Sequence, residues 1–303
     1  MSDLLVKPKN EKLIVILGAT ATGKSRFSVD LATHISPSEI INSDKMHFYR
    51  GLDITANKIA LEERRGIPHH LIDDYDSADG DLPILIGGSN SYIHAFLAKH
   101  FDSDSEGLDF EFVVSSELRY NCCFLWVYVA PSIHKQYIYL RVQQMLDAGM
   151  LEELSEYFEK GMDTYSPAIK KLIGVNAFKT YFNVFPPGNT NGKTSAIKKC
   201  IGSNVDMKPN GKYQESDDAT LKKTLLEEAI QTMKLNAYEL AKRQVEKINF
   251  FRSSGWNILK LDATEAIRTV LAADPDSANS SKIIWEKEIV EPSMKVVQRF
   301  LEE

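Results

Sequence analysis

Gly18-Ala19-Thr20-Ala21-Thr22-Gly23-Lys24-Ser25 directly follows the apolar run Leu13-Ile14-Val15-Ile16-Leu17, and this junction decides the fold. A short continuous apolar run closed by glycine is the pattern of a parallel strand buried on both faces. Beyond the loop, Phe27, Leu31 and Ile35 recur at helical spacing and predict a helix from Ser25 to Ile35. A glycine-bounded loop ending in Lys-Ser between a strand and a helix is a P-loop. Its glycines let backbone N–H groups close around phosphate oxygens, and the helix N-terminus adds a favourable dipole. Lys24 supplies a point charge to the phosphates and Ser25 a hydroxyl for Mg²⁺. The alternative is an ordinary glycine turn, but the fixed positions recur by composition in roughly one chain in a hundred of this length. The loop does not say whose phosphates it holds.

Further strands are predicted at Glu39-Ile40-Ile41-Asn42, at Pro68-His69-His70-Leu71-Ile72 and at Leu82-Pro83-Ile84-Leu85-Ile86. Two more run from Cys122 to Val129 and from Trp256 to Leu261. Strands alternating with helices imply a parallel sheet covered on both faces. Only ten residues separate Leu71 from Leu82, fewer than the dozen or so that a parallel crossover needs. Either these strands are not parallel neighbours or residues are missing from the sequence near Gly80-Asp81, and the second reading is preferred. Similar joins are suspected at Ser105-Glu106 and Tyr213-Gln214.

From Ser132 to about Phe251 the strand signal stops. Helices are predicted over His134 to Leu146, Met150 to Phe158, Ser166 to Phe182 and Thr220 to Phe251. Phe185 to Gln214, rich in Pro, Gly, Asn and Lys, reads as a loop. The expected organisation is an α/β core, residues 1–131 with 252–303, interrupted by a helical substrate-binding insert over 132–251.

Bulk composition narrows the partners. At 303 residues, with 43% hydrophobic and 26% charged residues, the values are those of a globular chain. A net charge of −6 argues against a nucleic-acid coat or a polybasic membrane binder. The three cysteines, two of them adjacent at Cys122-Cys123, form neither a disulfide framework nor a metal-site spacing. No stretch approaches transmembrane length, and the opening MSDLLVKPKNEK carries no apolar signal segment and is too short for a transit peptide.

Asp44 follows the second strand, so it should project from the carboxyl edge of the sheet, where open α/β sheets bind ligands. Three readings are open: it holds Mg²⁺ through water, accepts a proton from a nucleophile, or caps the next helix. Gly87-Gly88-Ser89-Asn90-Ser91-Tyr92 follows another strand end and offers close backbone approach and small polar groups. It also reads as a plain strand-to-helix turn with an N-cap. His69-His70, adjacent on a strand, point to opposite faces and read as structural residues rather than a metal pair. Lys242-Arg243 within Leu240-Ala241-Lys242-Arg243-Gln244 is a solvated face or an anion clamp; Lys170-Lys171 and Lys222-Lys223 share that ambiguity, weighted to the surface.

In order and spacing these segments resemble the isopentenyltransferase family, most closely its plant-type adenylate branch. The carriers are the P-loop, Asn42-Ser43-Asp44-Lys45-Met46, Tyr49-Arg50-Gly51-Leu52-Asp53-Ile54, Pro68-His69-His70-Leu71 and Gly87 to Ile93, then Arg141-Val142 with Met145-Leu146 and Leu240 to Gln244. The resemblance implies a P-loop NTPase-like core and a different use of the loop. Gly18, Ala19, Thr20, Ala21, Thr22, Gly23, Lys24 and Ser25 would cradle dimethylallyl diphosphate, with Lys242 and Arg243 assisting. The exocyclic N6 of an adenine nucleotide would attack the allylic carbon, with Asp44 as base and Thr20 near the reacting amine and the bridging oxygen. Mg²⁺ on Ser25 is implied as cofactor, and Ser89, Asn90, Ser91 and Lys171 as acceptor-pocket residues. A plastid setting is implied too, and a monomer is expected. Gln143 and Asn176-Ala177 depart from acidic residues common in relatives.

Three rivals are weighed. A tRNA-modifying relative would alkylate an anticodon-loop adenine, but the cysteine spacing and negative charge favour a free nucleotide. A small-molecule kinase would hold ATP in the same loop, and a nucleotide-binding switch lacks a guanine-specificity motif. The paired lysines favour ADP or ATP over AMP as acceptor.

Overall fold

A computed structural model of the chain describes residues 11–72, 82–99, 117–161, 168–187, 215–272 and 276–303. The chain divides into two compact units. The first comprises Met1–Phe48, Ile59–Tyr137 and Leu240–Glu303, the second Tyr49–Lys58 and Ile138–Glu239.

The first unit is built on strands β1 (Lys12–Gly18), β2 (Ser38–Asn42), β3 (His69–His70), β4 (Leu82–Ile86), β5 (Asn121–Tyr128) and β6 (Ile258–Asp262). They form one sheet in the order β3-β2-β4-β1-β5-β6, and the pairings are parallel. Val15 of β1 pairs with Leu85 on one side and Phe124 on the other. Ile14, Val15, Ile16 and Leu17 are fully buried because both faces are covered. Ile14 and Ile16 pack with Phe27 and Leu31 of α1 (Lys24–His34) and with Trp285 of α8 (Ser277–Trp285). Leu13, Val15 and Leu17 pack with Ile93 and Leu97 of α2 (Asn90–Leu97) and with Ile248 and Phe251 of α6 (Glu215–Ser253). Each such side chain contributes about 1.5–3 kcal/mol by leaving water. The apolar run before the loop therefore reads as it should: every residue is core, whichever face it takes.

Of the two readings of the short interval after Leu71, the structure bears on the first. β3 and β4 are not neighbours; each pairs with β2, from opposite sides. Both run parallel to β2, so a return connection between them is still required. The suspected joins at Gly80-Asp81, Ser105-Glu106 and Tyr213-Gln214 lie outside the described residues, as does most of the Phe185 to Gln214 loop. The rest of the unit comprises the start of α3 (Pro131–Asp147), then α7 (Thr264–Ala272), α8 and α9 (Glu291–Glu302) after β6.

The second unit is helical, with α4 (Met150–Glu159) and α5 (Ile173–Val184). Phe158 stacks on Phe182 with ring centroids 4.7 Å apart, and Tyr157 and Phe178 are buried beside them. The helix predicted from Ser166 starts later: a 3₁₀ turn at Ile169–Lys171 ends at Leu172, which is extended, and α5 begins at Ile173. Apolar residues at Ile169, Leu172 and Val175 recur every three positions, which suits a 3₁₀ turn as well as an α-helix. Periodicity alone could not place the break. Glu153 of α4 accepts the N–H groups of Ile54 at 3.0 Å and Thr55 at 2.7 Å, and the Thr55 hydroxyl at 2.5 Å. This carboxylate ties the short segment Tyr49–Lys58 to the helices of its unit. Gly174 lies so close that a Cβ there would come within 2.5 Å of the Thr55 methyl.

Candidate active site

The loop between β1 and α1 is shaped by its small residues. Gly18 has no room for a side chain, since a Cβ would come within 2.9 Å of the Val127 carbonyl. Ala21 and Gly23 take the left-handed region, at φ 58° and 90°. The first helical bond of α1 runs from Phe27 N–H to Gly23 C=O at 2.9 Å. The N–H groups of Lys24, Ser25 and Arg26 therefore open the helix without intrahelical acceptors, the usual arrangement for an anion. No acidic residue occupies this first turn. Thr22 is buried and its hydroxyl turns inward to the Ala19 carbonyl at 2.9 Å. Lys24 Nζ donates to the same carbonyl at 2.6 Å. Burial lowers the Lys24 ammonium from its ordinary value to about 8, with the Asp44 carboxylate pulling the other way. Burial thus makes the Lys24 charge costly, a cost that a neighbouring anion would offset.

Asp44 lies just past β2. Asn42 shapes that turn: its Nδ2 donates to the Asp44 carbonyl at 3.0 Å and to Leu71 O at 3.1 Å, and its Oδ1 accepts Asp44 N–H at 3.1 Å. Asp44 Oδ1 accepts Met46 N–H at 3.0 Å, so the carboxylate caps its own turn. Oδ2 faces Gly88, 3.5 Å from where a Cβ on that glycine would sit. Capping and chemistry are therefore compatible at Asp44, one oxygen for each. Gly87 packs against Ser43 so tightly that no side chain fits, and Ser43 N–H donates to Ile86 O at 2.6 Å.

Gln244 of α6, directly after Lys242 and Arg243, joins these parts. Its Oε1 accepts Thr20 N–H at 2.7 Å and its Nε2 donates to Gly88 O at 2.9 Å. Its main-chain carbonyl accepts Asn90 Nδ2 at 3.0 Å. His134 Nε2 donates to the Thr20 carbonyl at 2.8 Å. Burial lowers the His134 pKa, the Thr20 bond opposes this, and the Lys24 charge lowers it further.

The remaining sequence-predicted residues are distributed as follows. Ser89 Oγ accepts Lys45 N–H at 3.3 Å, and Ser91 Oγ accepts a bond from Lys247 Nζ at 2.7 Å. Lys242 and Arg243 are exposed on α6. Lys171 is exposed in the second unit, on the 3₁₀ turn. His69 Nδ1 donates to Ile67 O at 2.8 Å, and His70 Nε2 lies 2.8 Å from Glu39 Oε2. Among the described residues no group of three His, Cys, Asp or Glu is arranged to hold a metal. Asn42, His134, Gln244 and Lys247 are absent from the sequence-based site. Gln244 carried a signal, a neutral amide closing a basic motif; His134 carried none.

The parallel sheet and its loop define a P-loop NTPase-like protein. The family described as IPP transferase matches residues 47–80 and 104–253, and the chain belongs to that family. It is 40% identical over 95% of its length to an adenylate isopentenyltransferase of Humulus lupulus, covering 90% of that protein. It is 38% identical over 97% of its length to the chloroplastic adenylate isopentenyltransferase 1 of Arabidopsis thaliana, covering 82% of it. The isopentenyltransferases are prenyl-transferring enzymes, and this chain is one. In fold it is similar to a eukaryotic dimethylallyltransferase acting on tRNA, with a TM-score of 0.66 and 22% identity across 97% of this chain and 80% of that one. A tRNA isopentenylpyrophosphate transferase of Bacillus halodurans gives a TM-score of 0.56 at 24% identity, across 94% and 99% of the two chains.

Proposed function

We propose that this protein transfers a dimethylallyl group from dimethylallyl diphosphate to N6 of a free adenine nucleotide, releasing diphosphate, the entry reaction of cytokinin synthesis. The observation that carries this reading is the placement of Asp44. One carboxylate oxygen is tied to Met46 N–H, the other faces the Gly88 turn, and the charge is felt at Lys24 of the phosphate loop. A base beside an anion cradle suits an amine that must lose a proton as a diphosphate departs.

In this reaction the bond from N6 to the allylic carbon forms as the carbon–oxygen bond to diphosphate breaks. Asp44 takes the N6 proton. The opening N–H groups of α1 and the Lys24 ammonium receive the charge that builds on the leaving group, with Lys242 and Arg243 as outer cations. Thr20 lies at the reacting end of the loop and orients the amine and the bridging oxygen. Ser89, Asn90 and Ser91 form the wall of the acceptor pocket. The Ser25 hydroxyl, at the start of α1, would hold Mg²⁺, an ion that keeps waters and is held mainly by substrate phosphates. When bound, it neutralises charge on the departing diphosphate.

The test is incubation with Mg²⁺, dimethylallyl diphosphate and AMP, ADP or ATP in parallel, read by mass spectrometry. Prenylated nucleotide and diphosphate in equal amounts are expected, with ADP and ATP preferred. Formation of ADP and a phosphorylated acceptor instead would sink the reading. We also infer a plastid location, since several relatives are named chloroplastic, although one is named mitochondrial. A fluorescent fusion of the full-length protein resident outside plastids would overturn that.

A further inference from the structure

We propose that Gln244 and His134 are positioning residues that hold the Thr20 peptide from both sides and so set the Thr20 hydroxyl at the reacting end of the loop. The inference rests on the role given to Thr20 above. Its own basis is a hydrogen-bond pattern that a phosphate cradle alone does not require. Thr20 N–H donates to Gln244 Oε1 at 2.7 Å, so this amide is withdrawn from the set available to phosphate. The Thr20 carbonyl accepts His134 Nε2 at 2.8 Å. Both ends of the residue are therefore fixed by side chains from far along the chain. What Thr20 has left to offer a substrate is its hydroxyl. The loop's other threonine, Thr22, turns its hydroxyl inward to Ala19 O.

The residue type at 244 follows from the same pattern. Its side chain must accept from Thr20 N–H and donate to Gly88 O, 2.9 Å away, at the same time. An amide does both; a carboxylate lacks the donor and an ammonium lacks the acceptor. The two bonds also fix which way round the amide lies. The Gln244 backbone is held in turn by Asn90 Nδ2 at 3.0 Å, and Asn90 and His134 are each only 3% exposed. A Cβ on Gly88 would come within 2.5 Å of Gln244 Nε2, so this glycine is needed for the amide to reach. The phosphate loop, the Gly87-Gly88 turn and α6 are thereby locked in register around one residue. A reacting group displaced by about 1 Å loses on the order of a hundredfold in rate, so such a lock acts on turnover more than on binding.

The experiment is a double-mutant cycle on the full chain with dimethylallyl diphosphate and ATP. Gln244→Ala and the near-isosteric Gln244→Met are each made alone and combined with Thr20→Ala. Each single Gln244 variant is expected to lower kcat by roughly 30–100-fold. The KM for dimethylallyl diphosphate and the calorimetric Kd for inorganic diphosphate should stay within about threefold, because the α1 amides and Lys24 are untouched. Each double variant should turn over within about threefold of Thr20→Ala alone, since a hydroxyl that is gone needs no positioning. Losses that multiply in the double variants would overturn the inference. So would a Kd for diphosphate weakened tenfold or more, or loss of folded protein in both Gln244 variants. A wild-type protein that makes no prenylated nucleotide would overturn the transferase reading and this inference together; multiplicative losses in an active enzyme overturn this inference alone.

Discussion

Asp44 shows how little of a residue's role is visible in its identity. Read from the sequence it is a base, a metal ligand or a cap; in the fold the cap takes Oδ1 and leaves Oδ2 toward Gly88. Asp44→Asn keeps an acceptor for Met46 N–H and removes only the basicity. That variant should lose roughly 10²–10⁴-fold in kcat with its melting temperature almost unchanged. Turnover within threefold of wild type would exclude Asp44 as the base. Lys24 gives a prediction of a different kind. Its folded pKa of about 8 lies below the ordinary lysine value of 10.5. Between those two values the unfolded chain holds a proton that the folded one does not, so stability rises with pH across that window. At pH 7 the folded state carries the full cost of a charged, buried ammonium. Lys24→Met should therefore raise stability at pH 7 by about 1–3 kcal/mol, in denaturant melts, while abolishing diphosphate binding. Near pH 8, diphosphate binding to the wild type should take up a proton, seen as a buffer-dependent calorimetric enthalpy that the variant lacks. An unchanged or lower stability of Lys24→Met at pH 7 would contradict the shift.

Among the elements, α8 and its neighbours support the loop from behind. A Cβ on Gly23 would come within 2.7 Å of the Trp285 ring, so glycine at this position answers both a left-handed φ and a wall. Trp285 Nε1 donates to Asp30 Oδ2 at 2.9 Å, and the Arg26 guanidinium lies 4.5 Å from its ring centroid. Arg65 completes the group with Nη1 at 2.9 Å from Asp30 Oδ1. Trp285→Ala should cost about 3–5 kcal/mol through the cavity it leaves, and should also weaken diphosphate binding by releasing Gly23. Trp285→Phe should keep most of the binding. Thermal melts with and without diphosphate separate the two effects, and equal diphosphate affinity in Trp285→Ala and wild type would show that the loop needs no such backing. The six strands and the glycine turn between β1 and α1 were legible in the sequence because their signals are local: a short apolar run, a glycine turn, a helical stripe. Gln244 and His134 were not, because they meet Thr20 across 224 and 114 residues. Nothing in their own neighbourhoods encodes that meeting. The order of β3, β2 and β4 was hidden for the same reason, since the interval between two strands does not say what lies between them.

Across the whole molecule, the chain changes unit at Phe48 and Tyr49, again at Lys58 and Ile59, and twice more through α3 and α6. The sequence made 132–251 a single insert, on the reasonable ground that strand signals stop there. It could not show that Tyr49–Lys58 folds with the helices, because the segment is short and the carboxylate that holds Ile54 and Thr55 lies 99 and 98 residues further on. Its attachment is carried by Glu153, through two amides and the buried Thr55 hydroxyl. Glu153→Ala should destabilise the helical unit by about 1–3 kcal/mol, detected as earlier amide hydrogen exchange in α4 and α5. Unchanged protection there would mean the clamp contributes nothing. The same clamp sets a limit on dissection. A genetic excision of residues 138–239, cut at the two helices as though it were a cassette, would leave behind the strip that carries Ile54 and Thr55. The excised fragment would present an ownerless carboxylate and a bare groove beside Gly174, where Thr55 ought to lie. Anyone wishing to transplant the helical part into another scaffold must therefore carry a ten-residue passenger from elsewhere in the gene, stitched in by a new linker or supplied as a peptide.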